Sequence, residues 1–301
     1  MHSPTPRVKH LLLVGGGHSH VSVLRRLAMR PVPGLATTLV SRDIVTPYSG
    51  SLPGFLAGSY REEDMHIDLR PLAQFAGVRL IQAEVTSIDL NARRLELGSR
   101  PALDFDLLSL NIGSRPNAQL IPGAREHAIG IKPIDQFINR WQEIRVAAKS
   151  AMADDGGQYH LLIVGGGPAS VEFALAAQAR INRDLGRSPE QPAAITITLV
   201  CGATALLSGH NDKTRAFALG ELRRRGIDVL LDHKVESISA NQVTCEGGTT
   251  LRADAMIYAT GASLPEWAAE LGLAISEDGF IEVQDTLQST SHDFVFAAGD
   301  M

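Results

Sequence analysis

The chain alternates short, mostly apolar runs with longer segments in which apolar residues recur every three or four positions. Residues 10–14 (HLLLV) read as a strand buried on both faces, as in a parallel sheet; 37–40, 107–111 (LLSLN), 195–200 (ITITLV) and 255–259 (AMIYA) also read as strands, and LLIV at 161–164 repeats the first run. Val21, Leu24 and Leu27 share one helical stripe, closed by residues 31–34. Ile134, Phe137, Ile138, Trp141 and Ile144 predict an amphipathic helix over 133–152, with Trp141 in the core. A further helix over 213–225 ends in three arginines and Gly226, which suits the negative end of a helix.

Between these lie shorter strands, predicted at 79–81, 84–90 and 93–97 around a reversal at Asn91-Ala92. A matching set follows at 229–231, 234–239 and 243–246, with a turn at Gly247-Gly248. Residues 66–72 lead to a short helix, and 121–130 and 153–158 read as connectors. Two apolar runs end in the same way, LLLVGGGHSH at 11–20 and LLIVGGGPAS at 161–170. Gly15 and Gly165 are 150 residues apart, and the glycines that end two later strands, Gly113 and Gly261, are 148 apart. The chain therefore holds an internal duplication, far too long in period for a solenoid. The predicted class is α/β, with two Rossmann-like three-layer dinucleotide-binding domains, each carrying a small antiparallel strand cluster. The second is inserted in the first, giving 1–120 plus 266–301 and 121–265.

Composition narrows the function. A length of 301 residues suits about two domains of ~150 residues. A formal net charge of −5 with no basic patch argues against a nucleic-acid partner. No apolar run approaches the ~18 residues of a membrane span, and residues 1–9 are too polar and short for a signal peptide, so a cytoplasmic location is expected. Cys201 and Cys245 are the only cysteines and form no close pair, so redox chemistry must sit on a bound cofactor.

Gly15 and Gly17, and again Gly165 and Gly167, occupy the first two positions of the fingerprint G-x-G-x-x-G. The first permits a tight turn, and the second lets backbone approach a pyrophosphate. The third position carries His20 in one copy and Ser170 in the other. The Cβ of His20 is expected to limit how tightly helix and strand pack. Where the fingerprint calls for an acid after the second strand, the chain has Ser41-Arg42 and Cys201-Gly202. Ser41 is able to bond a ribose hydroxyl, and Arg42 to stack on adenine or reach a phosphate. NADH and NADPH both stay open. Residues 46–54 (TPYSGSLPG) read as a loop, either a surface turn or the border of a cofactor that places Tyr48 there. Glu172 reads as a nucleotide-site residue or as a solvated helix acid. His18 and His20 lack the carboxylate or cysteine neighbours of a metal site. Cys201 suits a buried strand end, Cys245 a strand interior, and Asp104 and Asp106 a strand entry; no spacing suggests a hydrolytic triad.

The early GGG, LLSLNIGSRP at 107–116, GGGPASVEFA at 165–174, MIYATGASLP at 256–265 and FVFAAGD at 294–300 are similar, in order and spacing, to the two-dinucleotide-binding-domain flavoproteins. That family is the pyridine nucleotide-disulfide oxidoreductases and their relatives. The resemblance implies FAD at Gly15, Gly17 and Asp300, with His18, Ser19, Ser41, Arg42, Tyr48, Val85 and Gly113 bordering the same cofactor. It implies NADH or NADPH at Gly165, Gly167, Pro168, Ala169, Glu172 and Gly261. Hydride would pass from nicotinamide to flavin, and electrons onward to a diffusible small-molecule acceptor such as a quinone.

The cysteine pair of the disulfide reductases is absent from TPYSGSLPG, so a flavin-to-disulfide relay is excluded and the loop resembles that of type II NADH dehydrogenases. VGGGHSH, TPYSGSLPGFLAG and IKPID more closely resemble the flavoprotein domain fused ahead of selenide, water dikinase in some bacteria. The chain stops at Asp300-Met301, where the family continues into a helix facing the flavin. That implies a truncated chain with weakened FAD binding. The missing region would carry peripheral membrane attachment, quinone contacts or homodimer formation. A reading of another class stands beside the enzyme: a non-catalytic or regulatory flavin-fold module serving a fused or partner enzyme. The replaced third glycines and absent acids point that way.

Overall fold

The computed structural model describes residues 8–116, 121–153, 157–259 and 262–301. Contacts divide the chain into two compact units. The first comprises Met1–Tyr48, His66–Arg115 and Ala262–Met301; the second comprises Ser49–Met65 and Pro116–Gly261.

The first unit is built on five parallel strands in the order Val295–Ala297, Leu107–Leu110, Lys9–Val14, Leu35–Ser41, Arg79–Gln82. Leu12, Leu13, Val14, Leu39 and Val40 are all buried, as strands covered on both faces must be. Alternate residues go to opposite layers. Leu13 and Leu39 pack with Leu24 and Leu69 under the helices His18–Met29 and Leu69–Phe75. Leu12, Val14 and Val40 face the other way, into a cluster with Ile88, Leu95 and Leu97 of the antiparallel strands. Those strands are Ser87–Asp89, Arg94–Leu97 and Arg100–Asp104. The first is shorter than the predicted 84–90.

The second unit repeats the plan. Its parallel order is Ile129–Gly130, Ala255–Tyr258, His160–Val164, Thr196–Val200, Ile227–Leu230, and its antiparallel cluster is Val235–Ser239, Gln242–Cys245 and Thr250–Arg252. The helix Ile134–Ala151 buries Phe137 and Trp141, which meet Phe173 edge-on at 5.5 and 5.4 Å. Phe173 belongs to the helix Pro168–Asp184, and Arg145 clamps that helix's end through Asp184 at 2.6 and 2.9 Å. The helix Asp212–Arg224 starts under the Asn211 side chain, which accepts from Thr214 N–H at 2.9 Å.

Two expectations change. The strand Ile129–Gly130 lies in what reads as a connector, because two residues carry no periodicity of their own. Residues 46–54 are not an irregular loop. Val45–Pro47 pairs antiparallel with His66–Asp68 in the first unit. Leu52–Leu56 is a short helix with Pro53 in its first turn, and Leu52 and Leu56 join the second unit's core.

Candidate functional site

Each parallel sheet carries a glycine turn at the carboxyl end of its central strand, where open α/β sheets take their ligands. In the first, Gly15 N–H donates to Val40 O at 2.8 Å, and Asn111 N–H donates to Val14 O at 2.8 Å. In the second, Gly165 N–H donates to Val200 O at 2.9 Å, and Ala259 N–H to Val164 O at 2.9 Å. Gly15 (φ +94°) and Gly165 (φ +135°) hold backbone that side chains with a Cβ rarely adopt. A Cβ on Gly15 would also come within 2.3 Å of Asn111 O, and one on Gly165 within 2.8 Å of Ala259 O.

Each turn passes into a helix. Gly17 and Gly167 are the N-caps of His18–Met29 and Pro168–Asp184. Neither helix has a side-chain cap or an acidic residue in its first turn, so the leading N–H groups are left to other acceptors. Such an end, with its partial positive charge, favours an anion.

The second strands explain the missing acids. A Cβ on Gly16 would lie 3.0 Å from Ser41 Oγ, and one on Gly166 would lie 2.2 Å from Cys201 Sγ. Ser41 and Cys201 are thus buried small residues beneath the turns. The Ser41 hydroxyl donates to Asp43 O at 2.7 Å, which leaves its oxygen only the acceptor role toward a ribose hydroxyl. Arg42 is exposed and pairs with Asp43 at 2.7 and 3.0 Å. The carboxylate at this strand end is therefore Asp43, two residues past the expected place.

The other nominated residues fall as follows. The His18 and Tyr48 rings stack at 3.8 Å with 24° between planes, so segment 46–48 does reach the first turn. Ser19 is half-buried on the same helix end. Val85 packs on the core between the sheet and its strand cluster, and Gly113 (φ +70°) stands beyond the strand Leu107–Leu110. Asp300 is exposed and follows Gly299 (φ +89°). In the second unit Pro168, Ala169 and Glu172 are exposed at the helix start. Gly261 lies outside the described residues. Among those described, no three His, Cys, Asp or Glu side chains converge as metal ligands.

Asn111 is not singled out by the sequence, and His20 only as the residue standing in place of the third glycine. Asn111 donates through Nδ2 to Ala298 O, and a Cβ on Gly299 would meet that Nδ2 at 2.5 Å. The same carboxamide therefore links the first glycine turn to the Gly299-Asp300 turn. Its signal in the sequence is a polar residue closing an apolar strand. Asn111 Oδ1 and Ser170 Oγ are the buried side-chain polar atoms without a hydrogen-bond partner among the described residues, one beside each turn. The second residue is His20. It is buried, with Nδ1 2.7 Å from Gly15 O and Nε2 2.9 Å from Ser109 Oγ. Burial lowers its pKa to about 4, with the Gly15 hydrogen bond opposing.

The family model of the pyridine nucleotide-disulphide oxidoreductases matches residues 9–301. The chain belongs to this family. Among curated family relatives, the type II NADH:quinone oxidoreductase of Staphylococcus haemolyticus is 24% identical over 97% of this chain and 74% of its own length. The external alternative NAD(P)H-ubiquinone oxidoreductase B4 of Arabidopsis thaliana mitochondria is 23% identical over 88% of this chain. The chain matches about half, 47%, of that relative's length. Among solved structures, NDH2 of Plasmodium falciparum with NADH gives a TM-score of 0.79 at 17% identity, over 98% of this chain and 64% of that one. The sulfide:quinone oxidoreductase of Aquifex aeolicus gives 0.79 at 19%, over 97% and 68%. At these identities the likeness is one of fold. No helix among the described residues is long and apolar enough to cross a membrane.

Proposed function

We propose that the chain is an FAD-dependent NAD(P)H oxidoreductase that delivers electrons to a diffusible acceptor, a quinone, without a redox disulfide. The observation that carries this reading is the paired glycine turns, each opening onto a helix N-terminus with no side-chain cap and no acid in its first turn. Two such ends suit two pyrophosphates. The residues fit the groups. A Cβ on Gly167 would meet nothing within 4 Å, which leaves room for a ligand against that backbone. In the first turn, Asn111 Oδ1 beside Gly17, without a partner among the described residues, offers an acceptor to a hydroxyl of the flavin nucleotide.

In this reading the first unit holds FAD and the second NAD(P)H. Gly15–Gly17 cradle the FAD pyrophosphate, Asp43 stands nearest the place of a ribose acid, and the His18–Tyr48 stack borders the cofactor. Asp300 takes the role the family gives the aspartate of its late Gly-Asp. Gly165–Gly167 and the start of the Pro168–Asp184 helix hold the nicotinamide nucleotide, with Glu172 and Gly261 beside it. Bound together, the two cofactors supply hydride transfer, while the protein orients them and excludes water. The absence of a disulfide step is supported by Cys201 and Cys245, which are both free and buried in the second unit. Quinone as acceptor follows the names of the curated relatives, and a membrane quinone would be reached peripherally.

The purified chain, incubated with FAD and desalted, is expected to be yellow. Anaerobic NADH or NADPH should bleach its flavin band at about 450 nm within seconds, and a soluble quinone should restore it. A chain that takes up no FAD, or holds FAD that neither nucleotide reduces, overturns the proposal.

A further inference from the structure

The third fingerprint position faces the sheet from the first turn of the helix, so the strand beneath must make room for whatever stands there. The two units solve this in opposite ways. In the first, Leu13 is flanked in register by Leu39 and Ser109. In the second, Ile163, 150 residues on, is flanked by Leu199 and Ile257. The first helix therefore sets a large residue, His20, against a small one on the neighbouring strand. At the equivalent positions the second unit has the small Ser170 and the large Ile257. Ser170 Oγ has no partner among the described residues.

Volume exchange alone would be met by an aliphatic residue at position 20. The imidazole adds direction. A carbonyl oxygen only accepts, so Nδ1 carries the proton and donates it to Gly15 O at 2.7 Å. Burial keeps the ring neutral, so Nε2 accepts from the Ser109 hydroxyl at 2.9 Å. The N–H of Gly15 is already committed to Val40 O at 2.8 Å. Both backbone groups of this one glycine are thus pinned, in a turn whose φ differs from that of Gly165 by some tens of degrees, +94° against +135°.

We propose that His20 is a positioning residue for the first glycine turn: its imidazole, held between the Gly15 carbonyl and the Ser109 hydroxyl, fixes the Gly15–Gly16 peptide plane and so the backbone on which FAD closes. The inference rests on the reading of that turn as the FAD cradle. It makes the histidine a brace that replaces the third glycine, where a decayed fingerprint would leave the turn unsupported.

The test uses the whole chain. H20S/S109I writes the second unit's pair into the first, keeping volume while removing the brace. H20N keeps a carboxamide N–H on the Nδ1 side of the ring, facing Gly15 O. FAD affinity is measured by quenching of flavin fluorescence, folding by the unfolding temperature of the apoprotein, and the tautomer by ¹⁵N NMR of the histidine rings. The expected result is an Nδ1–H tautomer for His20 at pH 7, and an apoprotein of near wild-type unfolding temperature for H20S/S109I. Its FAD affinity should be about fivefold or more weaker, with H20N recovering most of that loss. Wild-type affinity in H20S/S109I, or an Nε2–H tautomer, overturns the brace and leaves the cradle standing. A wild-type chain that takes up no FAD overturns the cradle and the brace together. Should H20S/S109I fail to fold, S109A decides: a weakened FAD affinity supports the brace, and an unchanged affinity with an unchanged ring spectrum overturns it.

Discussion

His20 shows how a single side chain couples the turn to solution conditions. Its folded pKa is about 4 and its ordinary value 6.5, so between these values the unfolded chain binds more protons than the folded one. Its contribution is complete above pH 6.5 and is lost as pH falls toward 4. By pH 5 the loss should reach about 2 kcal/mol relative to pH 8, and His20→Leu should flatten that part of the profile, as urea unfolding of the apoprotein would report. The N-cap glycines give a contrast. Gly17 has φ −68°, so an alanine there meets no backbone strain, but its Cβ would fall 2.0 Å from Asn111 Oδ1. Gly17→Ala should lower unliganded stability by about 1–3 kcal/mol. Gly167→Ala meets nothing within 4 Å and should leave unliganded stability within about 0.5 kcal/mol of wild type. Its effect should appear as a raised KM for the nicotinamide nucleotide. The sequence displays a histidine where glycine is expected, yet nothing in it points to Ser109, 89 residues away, as the partner.

At the scale of elements, the long helices declare themselves and their clamps do not. The stripe from Ile134 to Ile144 placed a helix where Ile134–Ala151 stands, and Trp141 in the core is 2% exposed. That Arg145 of this helix would grip Asp184 of the next is a tertiary fact. Burial pushes the Asp184 pKa up, but Arg145 and Arg180 outweigh it and hold it below the ordinary 3.8. The ion pair therefore stabilises fully above that range and fades as acid protonates the carboxylate. Asp184→Asn should cost about 2 kcal/mol at pH 7 by urea unfolding, with the gap from wild type narrowing toward pH 3. Segment 46–54 was opaque for a different reason. Its glycines, serines and prolines carry turn signals, while Leu52 and Leu56, which the second unit's core orders, are too few to show a period.

The whole molecule is a duplication, visible in the sequence as two glycine runs and two strand-exit glycines at nearly one offset. The like strand orders of the two sheets repeat it in space. If the first unit holds FAD and the second NAD(P)H, hydrogen exchange should separate them. FAD should protect amides within 9–48 and 107–113, and nicotinamide nucleotide those within 160–185; protection of one stretch by both ligands would reject the assignment. The sequence by itself determined the α/β class, the paired turns, the helix and strand periods and the absence of a disulfide framework, because these are local properties of glycine, apolar spacing and residue count. Only the tertiary structure decided that Ser41 and Cys201 lie beneath their turns, that Asp43 is the strand-end carboxylate, that Asn111 joins two glycine turns and that His20 lies between the Gly15 carbonyl and the Ser109 hydroxyl. Each depends on which residues meet across long stretches of chain, and the exclusion of water by packing then sets which of their polar atoms are bonded, neutral or unpartnered among the described residues.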